Sequence, residues 1–223
     1  MNELGRQIAD RMDIVAYGPT MTKHDMDLMI DACKKYDIYA CFGMFSFIPY
    51  IKEQLKGTRT KIVGTAGGMI GGSDDIECQV FTAKRMQELG CQEIEVVINL
   101  PYIKSGMYDE ALYNLKRVRE VVDGTFKVLI EAPVLTKEEM KIACELVCES
   151  GADYVKTGIG QLGPATLEMV TDMVGFVNGR CKVKAAGGIP GEVTCKAMMD
   201  IGVERFGMGY GKAVKMFERL SEE

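Results

Sequence analysis

The sequence predicts a (β/α)8 barrel, an α/β TIM barrel with an extra N-terminal helix, on three observations. Eight short apolar runs recur along the chain, and an amphipathic stretch follows each of them. The chain has 223 residues, a length that suits one such barrel. No GxGxxG opens the first strand–helix turn, which argues against an open doubly wound sheet.

In chain order, the opening MNELGRQIADRM is polar and helix-like, unlike a secretory signal, and is expected to be a helix covering the barrel floor. The strands are MDIVAYG (12–18), YACFGMF (39–45), KIVGTAGGM (61–69), EIEVVINL (93–100), KVLIEAPVL (127–135), YVKTGIG (154–160), KVKAAGG (182–188) and RFGMG (205–209). Between them, KHDMDLMIDACKKYD and DEALYNLKRVREVV repeat apolar residues at three- and four-residue steps, the period of a half-buried helix. Thr22 with Asp25, and Thr136 with Glu139, read as capping pairs at helix starts. Gly90, Gly124, Gly151, Gly179 and Gly202 stand where helices should stop. With no linker and no low-complexity segment, residues 1–223 are expected to form one domain.

Composition narrows the function classes. The formal net charge is -5 and no basic arm or stripe is present, so a nucleic-acid partner is not expected. No run approaches the ~18 apolar residues of a membrane span, so no membrane role is expected and cytoplasmic residence is the default. The eight cysteines form no CxxC pair, and the chain has one histidine. Reduced, scattered core thiols are therefore expected rather than a metal site. A homo-oligomer is left open, and the partner expected is a small molecule.

Polar residues inside strands need a reason, because a buried charge is expensive. In EIEVVINL, Glu93, Glu95, Val97 and Asn99 share one face, and Ile94, Val96 and Ile98 share the other. The apolar face suits the helices, which turns Glu95 inward. Lys156 in strand six and Lys184 in strand seven occupy similar inward positions on adjacent strands. Two neighbouring ammonium groups disfavour the charged form of each. An ordinary lysine is neutral only about 0.04% of the time at pH 7, and a shift of three units raises that to roughly 30%. Desolvation beside a second cation is how an amine nucleophile is made. The plain alternative is two structural lysines, each paired with a glutamate such as Glu95 or Glu131. Glycine clusters AAGGIPG (185–191) and GMGYGK (207–212) follow strands seven and eight, where backbone N–H groups of Gly187, Gly188, Gly207 and Gly209 can face a phosphate.

These motifs resemble the deoxyribose-phosphate aldolase family of class I aldolases over nearly the whole chain. EIEVVINLPYIKSG resembles its strand-four motif, KVLIEAPVLTKEEMKIACELVCESGADYVKTGIG its strands five to six, VKAAGGIP strand seven and RFGMGYG strand eight. The resemblance implies that Lys156 forms the Schiff base, that Lys184 lowers its pKa, and that Glu95 relays protons. It also implies a substrate-site role for Asp13, and neither a metal nor an organic cofactor.

The departures are specific. The family usually carries Asp where this chain has Glu95, and one extra methylene moves the carboxylate by roughly 1 Å, enough to matter for rate. An Asn-bearing strand-two motif reads GMF, giving Met44; a strand-one Thr reads Val15, and a Lys before Pro reads Gly18. KTSTG reads KTGIG, a strand-eight Ser pair reads Gly209–Tyr210, and strand three's GFPLG reads GMIGG. The expectation is an aldolase with its amines retained and its substrate shell rewritten, acting on a small aldehyde, sugar or sugar phosphate. Two other readings are a sugar-phosphate isomerase or epimerase, with Glu95 as base and Lys184 as electrophile, and a non-catalytic ligand-binding relative.

Overall fold

Each predicted apolar run contains a strand, and most strands are shorter than their runs. The computed structural model describes residues 1–68 and 72–222, so the end of the third run at Met69 and most of GMIGG lie outside the described residues. The strands are β1 Met12–Val15, β2 Ala40–Phe42, β3 Lys61–Thr65, β4 Glu93–Val97, β5 Thr125–Leu129, β6 Tyr154–Lys156, β7 Lys182–Ala186 and β8 Arg205–Gly209. All neighbouring pairs are parallel, and β8 returns to β1 to close the barrel. The runs overshoot because their last residues leave the ladder as loops. Gly160 and Gly187 show why: both hold positive φ (88° and 92°), and a Cβ on Gly160 would lie 2.8 Å from Gly187 Cα. The loops after β6 and β7 therefore touch glycine to glycine.

The helices are α1 Glu3–Ala9, α2 Lys23–Tyr36, α3 Ile48–Gln54, α4 Ile76–Leu89, α5 Leu100–Lys104, α6 Tyr108–Arg119, α7 Lys137–Glu149, α8 Leu167–Val177, α9 Glu192–Asp200 and α10 Tyr210–Glu222. Capping boxes form at Thr22/Asp25 and at Thr136/Glu139. Gly90 caps α4 in the left-handed conformation, but α6 ends at Arg119, well before Gly124. Gly124 instead lies flat against Gln92, where a Cβ would come 2.1 Å from the carbonyl oxygen. The N-terminal helix packs on α9 and α10, and its last carbonyl, that of Ala9, accepts from the Tyr39 N–H just before β2 at 3.1 Å. The backbone N–H of Asn2 donates to the Leu220 carbonyl at 2.8 Å.

Strand alternation sorts the core into two regions. Ile14, Ile94, Val96, Phe126, Val128, Val155, Val183 and Phe206 face the helices. Inside the barrel, Ala40, Phe42, Val63, Val97 and Leu129 form a small apolar cluster. The rest of the interior is charged. All eight cysteines are free thiols, five of them buried. No helix among the described residues is long and apolar enough to cross a membrane.

Candidate active site

Strand register brings the charged side chains together. Lys156 on β6 lies opposite Lys184 on β7, and Glu95 on β4 lies opposite Lys127 on β5. Asp13 on β1 lies opposite Gly207 on β8. Lys156 Nζ donates to Glu95 Oε2 at 2.7 Å, and Lys184 Nζ donates to Glu95 Oε1 at 2.7 Å. One carboxylate thus bridges the two lysines predicted to act together. Lys184 also donates to Asp13.

Beneath this pair lies a second set. Lys127 Nζ donates to Asp13 Oδ2 at 2.7 Å, pairs with Glu93 and comes within 3.6 Å of Glu95. Arg205 Nη1 donates to Asp13 Oδ1 at 3.0 Å, and its guanidinium lies 3.7 Å from the centre of the Tyr39 ring. Two details hold the upper lysines in place. A Cβ on Gly207 would meet Lys184 Cε at 3.4 Å and Ala186 Cβ at 2.8 Å, so glycine there leaves room for the lysine stem. The hydroxyl of Thr157 donates to the Ala186 carbonyl at 2.7 Å and accepts from the Ala186 N–H at 2.9 Å, stitching β6 to β7.

The cluster has an uneven charge. Four cations (Lys127, Lys156, Lys184, Arg205) face three carboxylates (Asp13, Glu93, Glu95), all of them buried. A surplus charge in a dry interior is costly, and loss of one proton relieves it. Lys184 carries a matching shift: burial, aided by Lys127 and Lys156, outweighs Asp13 and Glu95 and lowers its pKa to about 8. Burial pushes the Glu95 carboxyl up, but Lys156, Lys184 and Lys127 together hold it below the usual carboxylate range. The same contest leaves Asp13 low, because Lys127, Lys184 and Arg205 outweigh its burial. In Lys127, Asp13 and the two glutamates overcome burial and raise the pKa.

Glu131 is a different carboxyl. It follows β5 in the left-handed conformation (φ 48°), it is buried, and no side chain among the described residues hydrogen-bonds either of its oxygens. Burial raises its pKa, and the Lys156 charge and the Ile159 backbone N–H offset only part of that. It does not form the lysine pair that the plain alternative proposed; Glu95 serves both lysines. A Cβ on Gly158 would come 2.6 Å from Glu131 Oε2, so the bare backbone of Gly158 accommodates this carboxyl.

A cavity of about 440 Å³ opens above the lysines at the C-terminal ends of the strands. Glu95, Lys156 and Lys184 reach it, and Gly187, Gly188, Gly207 and Gly209 line it from β7 and β8. Asp13 does not: it is fully buried below the cavity, held by three cations, and so supports Lys184 rather than touching a ligand. Sequence reasoning passed over Lys127 and Arg205. Their signal was the same as for the other two lysines, a cation at an inward strand position.

No family model matches the chain. It is 35% identical to the deoxyribose-phosphate aldolase of Thermococcus gammatolerans, over 98% of this chain and 100% of the relative. It is 34% identical to that of Thermoanaerobacter sp. (strain X514), over 96% of this chain and 98% of the relative. The chain belongs to the deoxyribose-phosphate aldolase family. Among solved structures, the aldolase QR15 matches this member of the family with a TM-score of 0.89 at 28% identity, covering 96% of each chain. The tetrameric deoxyribose phosphate aldolase of Aeropyrum pernix gives a TM-score of 0.87 at 20% identity, over 97% of this chain and 92% of that one, and supports the fold alone. Members of the deoxyribose-phosphate aldolase family are class I aldolases, and hence lyases.

Proposed function

We propose that Lys156 is the Schiff-base nucleophile of an aldolase that makes or cleaves a C–C bond in a small aldehyde, sugar or sugar phosphate. The observation that carries this reading is the Lys156–Glu95–Lys184 bridge at the foot of the cavity. Lys156 passes a proton by way of Glu95 to the neutral fraction of Lys184 and attacks a carbonyl carbon, forming a carbinolamine. Loss of water leaves an iminium, which acidifies the neighbouring C–H. Glu95, acting through a water, removes that proton to give the enamine and returns it in the reverse direction. Lys184, with a pKa of about 8, is the group beside Glu95 that can hold or release a proton near neutral pH. Asp13, Lys127 and Arg205 position Lys184 and Glu95.

Backbone N–H groups at Gly187, Gly188, Gly207 and Gly209 are proposed to hold an anionic group of the substrate. An isomerase is less well supported. It needs Lys184 free to polarise a substrate carbonyl, and Lys184 is tied to both Asp13 and Glu95. The test is borohydride reduction in the presence of acetaldehyde, followed by peptide mapping. A reduced adduct on Lys156 is expected. No adduct with any small aldehyde or ketone would sink the reading.

A further inference from the structure

The aldolase reading leaves the acceptor aldehyde undefined, and the cavity wall narrows it. In the cavity that Lys156 reaches, part of the wall is built from Val15, Tyr17, Met21, Phe42 and Ile159. Register places Val15 beside Phe42 across β1 and β2, so the two form one continuous surface. Three aromatic rings fix that surface. Tyr17 meets Phe42 edge-on at 5.3 Å between centroids and Phe45 at 5.6 Å, and Phe42 meets Phe45 edge-on at 5.9 Å. Ile159 packs against the interior apolar cluster that contains Phe42.

Polar side chains on this cavity stand elsewhere. Glu95, Lys156 and Lys184 sit at its foot, while Gln161 is exposed on the loop after β6 and Lys212 is exposed on the first turn of α10. Among the described lining residues, side-chain hydroxyls come only from Tyr17 and Tyr210. The Tyr210 hydroxyl is engaged, donating to Asp25 at 2.8 Å. The nearby Thr157 hydroxyl is engaged by Ala186. A polyhydroxylated chain lying on this wall would bury hydroxyls without partners, which costs affinity. A hydrocarbon chain would bury its methylenes against rings and branched side chains.

We propose that the acceptor is an aldehyde with an unhydroxylated hydrocarbon chain. The proposal rests on the aldolase reading above. In the bond-forming step, the enamine α-carbon attacks the acceptor carbonyl carbon and one C–C bond forms. The carbonyl π pair moves to oxygen, which takes a proton, and the enamine nitrogen becomes an iminium. Water then hydrolyses the iminium, releasing the aldol and restoring Lys156.

The experiment uses acetaldehyde as donor and the linear aldehydes from propanal to hexanal as acceptors. Hydroxylated aldehydes of matched carbon number run beside them, together with glyceraldehyde 3-phosphate and 3-oxopropyl phosphate. The expected kcat/KM rises about threefold to fourfold per methylene along the linear series. It falls roughly tenfold to a hundredfold when the matched acceptor carries hydroxyls. In Ile159→Thr, which adds a hydroxyl to the wall, that gap narrows severalfold. A flat or falling linear series overturns the proposal. So does a preference for glyceraldehyde over propanal, or for glyceraldehyde 3-phosphate over 3-oxopropyl phosphate, a pair that keeps the anionic group for the glycine site and differs in the chain hydroxyl. The trapping experiment separates the two failures. A Lys156 adduct with a flat series leaves the aldolase reading standing and removes the acceptor claim. No adduct with any carbonyl donor removes both.

Discussion

Deep in the barrel, Asp13, Glu93, Glu95, Lys127, Lys184 and Arg205 neutralise one another almost out of reach of solvent, whereas at the mouth Val15, Tyr17, Phe42 and Ile159 present hydrocarbon around an open cavity. The two regions are built on the same strands, a residue or two apart. The charged region is closely interlocked: Glu95 serves three lysines and Asp13 serves three cations. Changing one member there disturbs all of them. The wall is a set of separate van der Waals contacts, where one side chain can change while its neighbours stay in place. The interlocked region fixes the chemistry, and the modular one sets the substrate.

That contrast predicts large effects below and graded ones above. Lys156→Ala is expected to lower aldol activity by roughly 10⁴- to 10⁶-fold, as loss of a covalent nucleophile does. The variant should keep its circular dichroism and lose the borohydride adduct. A loss of only severalfold would place the nucleophile elsewhere. Asp13→Asn removes the shared partner of Lys127, Lys184 and Arg205 without touching the cavity. It should destabilise the fold by about 3–5 kcal/mol in urea unfolding, the cost of breaking a buried ion pair.

Much of this lower region was legible in the sequence, and the reason is periodicity. Lys156, Lys184 and Glu95 stood out as charges at inward positions of two-residue alternation. Lys127 and Arg205 did not, because each begins its predicted run, where exposure is the ordinary expectation. In the structure β5 starts two residues earlier, at Thr125, which puts Lys127 in mid-ladder and fully buried. Arg205 does begin β8, yet it is buried under the Tyr39 ring. The depth of Asp13 depends on register between strands far apart in sequence, which alternation within one strand cannot supply. The wall was legible as a row of departures at Val15, Gly158 and Ile159, but Tyr17 and Phe42 join it only through folding. Sequence reasoning expected two neighbouring lysines to disfavour each other's charged form, and Lys184 carries a downward shift. The missing information was how each carboxylate divides itself among the cations.

The Lys184 shift makes its own prediction. Its pKa is about 8 in the fold, against about 10.4 for an unfolded lysine. Between those values the unfolded chain binds more protons, so stability rises with pH across the window. The penalty is fully present below pH 8, is on the order of 3 kcal/mol, and fades as pH approaches the unfolded value. Urea unfolding from pH 7 to pH 10 should show this rise, and Lys184→Met should remove it. Equal slopes in both proteins would contradict the assignment. Glu95→Asp is a smaller perturbation. The shorter carboxylate cannot reach both lysines at 2.7 Å, so activity should fall by up to about 10²-fold. A rate equal to the parent's would show that the site tolerates either length.

Between the two regions stands Glu131, buried like the floor but without a salt-bridge partner among the described residues. Its carboxyl lies against the bare backbone of Gly158, and burial raises its pKa. A carboxyl raised in the fold stabilises it at low pH, and that contribution is lost as pH rises through the folded value. Glu131→Gln keeps the shape and removes the titration. The variant should match the parent at acidic pH and become more stable than it as the parent's carboxyl ionises. Urea unfolding of both proteins from pH 4.5 to pH 8 measures the difference. If the two curves run parallel, Glu131 is ionised throughout and some partner compensates it. If they diverge as expected, the carboxyl beside Lys156 keeps its proton above the pH at which an ordinary glutamate loses it.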